Sequence, residues 1–245
     1  MSAPNSFLSN QALAALNEVA ILLPVFLLIF TCRGFFQALI AKLMGDKTPE
    51  QDGFISLNPL VHIDFIGILV ILGCFFVISG FFSSAVPRTI LLIILIMTAI
   101  RWTIPVRIDD RKFTHYRLGG IFTSLAGALG NFLLAFICMG LLKLVSAIAL
   151  ASYAKITAVT ILTTLIQITV FFGVIDLIPL PPFNGGKILR YALPIKLQWL
   201  VQSIEKYSLI IILVLFFAPF ISTLFFGGIF KAAFVIKKLL ASIFF

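Results

Sequence analysis

In a chain whose side chains are 61% apolar, the residues able to do chemistry are few and gather in a handful of places. The first is Ile175–Leu189, IDLIPLPPFNGGKIL, where Asp176 and Asn184 bracket a run of prolines. Pro179, Pro181 and Pro182 lack a backbone donor, and Gly185 and Gly186 permit positive φ, so the sequence predicts an extended and then sharply turned backbone. Between apolar runs, such a loop is tolerated at membrane depth only where it is buried in protein or lines a wet cavity, which makes it a candidate site. The second is Arg33, a permanent cation within an apolar run. It acts as an interior ion-pair partner or anion site, or it snorkels from near the end of its span to the headgroups. The third is His62 with Asp64, either a metal pair or a hydrogen-bonding device that orders a loop. Asn131 stands in another apolar run, as interhelical glue or as a substrate contact.

The elements that carry these residues follow from composition. With only 11% charged residues in 245, there is too little polar surface to coat a soluble globule, so the expected class is an all-α polytopic membrane protein. The 27 phenylalanines suit lipid contact and interfacial anchoring. Apolar runs predict about six transmembrane helices: 19–41, 65–84, 88–103, 119–142, 155–178 and 207–230, each near the ~20 residues that cross ~30 Å of hydrocarbon. Residues 1–18 are expected to form an N-terminal segment, 19–230 the membrane domain and 231–245 an amphipathic basic tail lying at the interface. No Lys or Arg precedes the first run, so it is expected to be a span rather than a cleaved signal. Pro219 makes 207–230 one kinked span or two half-spans, and the tail lies outside in the first case and inside in the second. Between the first two runs, Phe54–Leu57 is read as a short edge strand.

Charge sets the orientation. The formal charge of +9 sits mainly in short loops, with Lys42, Lys47, Arg101, Arg107, Arg111, Lys112, Arg117, Lys187, Arg190, Lys196 and Lys206 on one side and Arg88, Lys143 and Lys155 on the other. The first set is expected to be cytoplasmic in a multi-pass inner-membrane protein, with the N-terminus outside. Basic residues dispersed this way make no nucleic-acid face. Cys32, Cys74 and Cys138 lie in apolar runs without disulfide or zinc-knuckle spacing and read as small buried hydrophobes.

The loop resembles one found in the site-2 protease family of intramembrane zinc metalloproteases, N-x-x-P-x-P-P-x-D-G-G, with Asp176 at the asparagine and Asn184 at the metal-binding aspartate. Three further motifs in the same order carry the resemblance. Asn58–Asp64, NPLVHID, is similar to the stretch that follows the family's metal helix; Arg101–Val106, RWTIPV, to its Gly-Trp-Ala-Lys-Pro-Val; and Ala126–Asn131, AGALGN, to its Ala-Gly-Pro-x-x-Asn. Residues 20–195 are covered. In that frame the family's His-Glu-x-x-His falls on Arg33-Gly34-Phe35-Phe36-Gln37.

The resemblance implies a site-2 protease core whose zinc ligands and general base are replaced, by Arg33, Gln37 and Asn184 for the ligands and Gly34 for the glutamate. A fixed guanidinium repels a dication, neutral amides bind Zn²⁺ poorly beside imidazole or carboxylate, and glycine cannot activate water. No catalytic residue, no metal and no cofactor are therefore expected. The chain is instead expected to bind or sequester a transmembrane protein segment within the bilayer, with the proline loop pairing to an unwound substrate strand. Arg33 is expected to pin that loop to the first span through Asn184, Gln37 and a loop carbonyl, with Asp176 as counter-ion. Two other readings remain from the residues: an active metalloprotease with rearranged ligands drawn from His62, Asp64, Asp176, Cys32 and His115, and a small transporter or channel using Arg33.

Overall fold

The structure is a computed structural model that describes residues 4–62, 106–148, 152–181 and 183–244. The spans expected at 65–84 and 88–103, with Asp64 and Pro182, lie outside the described residues. The chain forms two compact units, 1–31 with 58–105 and 32–57 with 106–245.

Among the described residues the structure is helical. α1 is Pro4–Leu43, α2 Thr48–Gln51, α3 Pro59–His62, α4 Tyr116–Ala147, α5 Ser152–Asp176, α6 Asn184–Ala192, α7 Gln198–Phe217 and α8 Pro219–Ala241. Four segments among the described residues are long and apolar enough to cross a membrane: Ala20–Leu43, Tyr116–Ala147, Ser152–Asp176 and Phe220–Ala241. In the first unit Val25, Ile29 and Phe30 are buried along one stripe of α1, and His62 is buried at the end of α3.

The rest of the description concerns the second unit. α1 ends because Gly45 takes φ +111, while the Asp46 N–H reaches back to the Ala41 carbonyl and the Gly45 N–H to that of Lys42. This is a Schellman closure, and it turns Asp46 inward. Its fully buried carboxylate accepts from the Thr48 and Asp109 N–H groups at 2.9 and 2.8 Å. Thr114 N–H adds a bond to the Met44 carbonyl, and Lys112 Nζ lies 2.7 Å from Thr48 Oγ1. The end of α1 is thereby tied to the loop that starts α4, so the two basic loops share one side. Phe54–Leu57, read as a strand, contains bends and no strand; the N–H of Phe54 instead closes α2 onto the Pro49 carbonyl.

Small residues let α4 pack closely. A methyl group on Gly120 would meet the Tyr191 ring at 2.5 Å, on Gly130 the Phe36 ring at 2.7 Å, and on Gly119 the Phe113 ring at 2.5 Å; each absent Cβ seats an aromatic ring. α5 returns antiparallel against α4, with Phe132 against Gly173, and Lys155 Nζ caps the open carbonyls of Ser146 and Ile148 at the α4 C-terminus.

Two expectations at the C-terminal end change. Pro219 does not kink one continuous helix; it occupies the first turn of a new one, where its missing N–H is harmless, and Ala218 is the joint. α8 then continues without a break past Lys231 to Ala241, so the basic tail is part of a candidate span and not a separate interfacial helix. Phe244 docks on the far end of α4, its ring 4.8 Å from Phe136 and its carbonyl 2.5 Å from Lys143 Nζ. That end of α4 is opposite the one bearing the basic loops. At the other terminus, α1 is helical from Pro4, so no break in secondary structure separates residues 4–18 from the segment expected as the first span.

Candidate functional site

The site is built where α1, α4 and the turn from α5 into α6 meet. α5 stops at Asp176 because Pro179 and Pro181 cannot continue its ladder, and the next residues form tight turns. The N–H of Leu177 bonds the Val174 carbonyl, Ile178 that of Ile175, Leu180 that of Ile178 and Phe183 that of Leu180. The loop is therefore a succession of turns rather than extended backbone. Every non-proline N–H from 177 to 183 is spent inside it, so it offers an incoming strand no donors, and the expected strand pairing is corrected on that ground.

Gly185 and Gly186 are needed for a different reason from the one the sequence suggests. Both lie in α6 with helical backbone. A Cβ on Gly185 would strike the Ile178 and Leu177 carbonyls, and one on Gly186 would lie 2.6 Å from Pro181 N, so the glycines let the loop fold onto the first turn of α6. The fold places Asn184, 2% exposed, eight residues after Asp176 and beside it.

Arg33 points inward. Its Nε donates to Asp176 Oδ2 at 2.6 Å and its Nη2 to Oδ1 at 2.8 Å, a fork-to-fork pair with side chains 18% and 8% exposed. Asn184 Nδ2 donates to Asp176 Oδ2 at 3.3 Å; the amide must present its NH₂ there, since its oxygen would repel the carboxylate. Asp176 is thus the hub. The expected bonds from Arg33 to the Asn184 oxygen and to Gln37 do not form among the described residues. Gln37 is buried one turn along α1, beside the ring of Phe36 that seats Gly130.

Gly127 of α4 closes the site. A Cβ there would lie 3.1 Å from Asn184 Nδ2, 3.2 Å from Arg33 Cγ and 3.2 Å from Asp176 Oδ2. Thr123 and Asn131 stand one turn to either side of Gly127. Both are buried, and the Thr123 hydroxyl and Asn131 amide have no partner among the described residues. Sequence reading met Gly127 only inside the Ala126–Asn131 motif and passed over Thr123; their i, i+4, i+8 spacing with Asn131 was the available signal.

These residues do not suit a zinc ion. Both Asp176 oxygens already accept from Arg33, and a fixed positive charge stands 2.6 Å away. Among the described residues no group of three or more His, Cys, Asp or Glu side chains could hold a metal. Of the rearranged ligand set, Asp64 lies outside the described residues and His62 belongs to the other unit. His115 precedes α4 and is exposed, twelve residues or ~18 Å along the helix from Gly127.

The chain is similar to a Bacillus subtilis (strain 168) protein named "Putative zinc metalloprotease YwhC", with 29% identity over 192 residues that make up 78% of this chain and 77% of the relative. No family model and no solved structure matches. The similarity supports a metalloprotease-like ancestry for a chain with several helices long and apolar enough to cross a membrane.

Proposed function

We propose that this chain is a membrane pseudoprotease of site-2 protease type, in which the Arg33–Asp176 ion pair stands where the family holds zinc, and that it retains a transmembrane segment of another protein instead of cleaving it. The observation that carries this reading is the bidentate contact at 2.6 and 2.8 Å, a guanidinium locked to a carboxylate at the place where the resemblance would bring the metal helix and the proline loop together. Of the degenerate positions Arg33, Gly34, Gln37 and Asn184, Arg33 and Asn184 then have structural roles, with Asp176 as their shared partner. The loop of Pro179, Pro181 and Pro182 with Gly185 and Gly186 shapes the retaining surface through its side chains and carbonyls.

Elemental analysis of protein purified without chelators should find far less than one zinc per chain. A stoichiometric zinc that is lost in His62→Ala or Asp176→Ala would favour the active enzyme that the relative's name suggests. Retention is tested with a photo-crosslinking residue at Leu177, exposed at the loop, against one at Leu133, exposed on α4. The loop position should trap a defined membrane protein that the α4 position does not; lipid adducts alone at both would sink the reading. The proposed topology has both basic loops in the cytoplasm, so single cysteines at Thr48 and Thr114 should resist an impermeant thiol reagent in intact cells.

A further inference from the structure

Independently of the ion-pair site, we propose that the outward face of α8 docks a transmembrane helix of another protein, one that carries an aspartate or glutamate at the depth of Lys231. Among the described residues α8 is the candidate span that the protein leaves bare: 6% of its most apolar stretch is buried, against 33–44% in the other three. Ile229 is its buried residue, and the ring of Phe230 stacks at 5.3 Å on that of Phe171, five residues before the end of α5. This part of α8 therefore lies against the interior of another candidate span rather than beyond its end. A helix turns about 100° per residue, so Lys231, two residues after Ile229, points to the far side, where it is exposed.

Lys231 is eleven residues from Phe220 and ten from Ala241, so ~15 Å of helix separates it from either end of the candidate span. Lys237 and Lys238 lie near enough to Ala241 to snorkel; Lys231 does not. A cation at such depth is costly unless it meets a partner. Lys143 and Lys155 donate to carbonyls, whereas Lys231 makes no hydrogen bond or ion pair among the described residues. The chain has no counter-charge to give it. Of its nine acidic residues the four candidate spans contain only Asp176, held by Arg33, and the apolar runs 65–84 and 88–103 contain none. A second copy has the same inventory, and a two-fold contact over this face would set Lys231 against Lys231. The missing carboxylate belongs to a different chain.

The backbone of the same face suits a helix as the carrier. Gly227 and Gly228 precede Lys231 by one turn, and a Cβ on either would meet nothing within 4 Å. Gly120, Gly130 and Gly173, by contrast, each seat an aromatic ring of this chain. Glycine weakens a helix interior relative to alanine, and in an apolar span its use is to let a second backbone approach closely. Phe220, Leu224 and Val235 stand exposed on this side, at the three- and four-residue spacing of one helix face. The face is apolar except at Lys231, so its partner is apolar except at one carboxylate.

The experiment uses the full chain in phosphatidylcholine vesicles at about pH 8, with an acceptor dye on Ser242→Cys in a background lacking Cys32, Cys74 and Cys138. The probes are donor-labelled leucine-alanine helices of about 20 residues, identical except for a central Glu or Gln. Energy transfer should show the Glu helix binding about tenfold more tightly than the Gln helix. That advantage should vanish in Lys231→Met and persist in Lys231→Arg, while Gly228→Leu, which fills the approach, should weaken both helices. Absence of binding, equal binding of the two helices, or a Glu advantage that survives Lys231→Met overturns the proposal. So does Gly228→Leu without effect, which would place the contact elsewhere. Loss of the Glu advantage in phosphatidylglycerol-rich vesicles would assign Lys231 to a lipid phosphate, and disulfide-linked dimers of Leu224→Cys would assign the face to a second copy; either result overturns it as well. None of these outcomes bears on retention at the proline loop, which the crosslink at Leu177 tests separately.

Discussion

Arg33 and Asp176, separated by 143 residues, meet as a two-bond fork that joins the helix of the first span to the end of α5. The pair is largely withdrawn from water, so what matters is the asymmetry between removing one partner and removing both. Breaking such a pair leaves a buried charge uncompensated, at about 3–5 kcal/mol, whereas replacing both partners with apolar residues of similar volume is often near neutral. Arg33→Met and Asp176→Leu should therefore each lower the thermal midpoint in detergent by several degrees, and the double variant should recover most of the loss. Additive losses would show that the contact does not bind the two helices together.

Gly127 should not accept a side chain without loss of stability. An alanine methyl there would stand 3.1–3.2 Å from three atoms that are held by one another, and none is the free end of a flexible chain. Overpacking of this kind is worth about 1–3 kcal/mol. Gly228→Ala is the control, since nothing lies within 4 Å of a Cβ there and alanine favours a helix. Matched midpoints for the two variants would contradict the site as described.

Much of this arrangement is legible in the sequence, and the exceptions share a cause. Apolar length marks α4, α5 and the helix of the first span, and prolines after Asp176 mark the end of α5, because these are local effects. The pairing of Arg33 with Asp176 was legible only through the resemblance, which supplies the long-range register that no local pattern contains. Its detail was not: Asn184 turned out to bond Asp176 rather than Arg33, since a carboxylate outcompetes an amide for a guanidinium. The glycines at 185 and 186 looked like turn residues by type, yet their role is decided by carbonyls packed against them. Pro219 was read either as a kink or as the break between two half-spans because a proline in an apolar run signals either kink or first turn, and only the helix that follows distinguishes them.

Alkaline pH should loosen the contact between α6 and the 106–115 loop. Burial pushes the Tyr191 phenol up to about 12, aided by the charge of Asp110 and by Tyr116 and opposed by Arg190. Its hydroxyl lies 3.4 Å from Asp110 Oδ2, and its ring fills the space left by Gly120. The folded value exceeds the ordinary tyrosine value of about 10, so this contribution is fully present below pH ~10 and is lost as pH rises toward the folded value. The thermal midpoint of the wild type should fall more steeply than that of Tyr191→Phe between these two pH values. Parallel curves would mean that Tyr191 ionises as readily in the folded protein as in the unfolded chain.

Rebuilding the metal centre tests whether the ion pair occupies a surviving zinc scaffold. Positions 33 and 37 are one turn apart on α1, so Arg33→His and Gln37→His place two imidazoles on one face, and Asn184→Asp adds a carboxylate where an amide now lies 3.3 Å from Asp176. Gly34→Glu supplies a base between the histidines. The fourfold variant should bind about one zinc per chain and lose thermal stability when chelated, since a ligand that binds only the folded state stabilises it by mass action. Arg33→His alone should bind little zinc and should destabilise, because it leaves Asp176 without its two strong donors while only one ligand has been restored. A fourfold variant that keeps its helical content yet takes up no zinc would show that α1 and the proline loop no longer have the geometry of a metal site, and the ion pair would then be a feature of this fold in its own right.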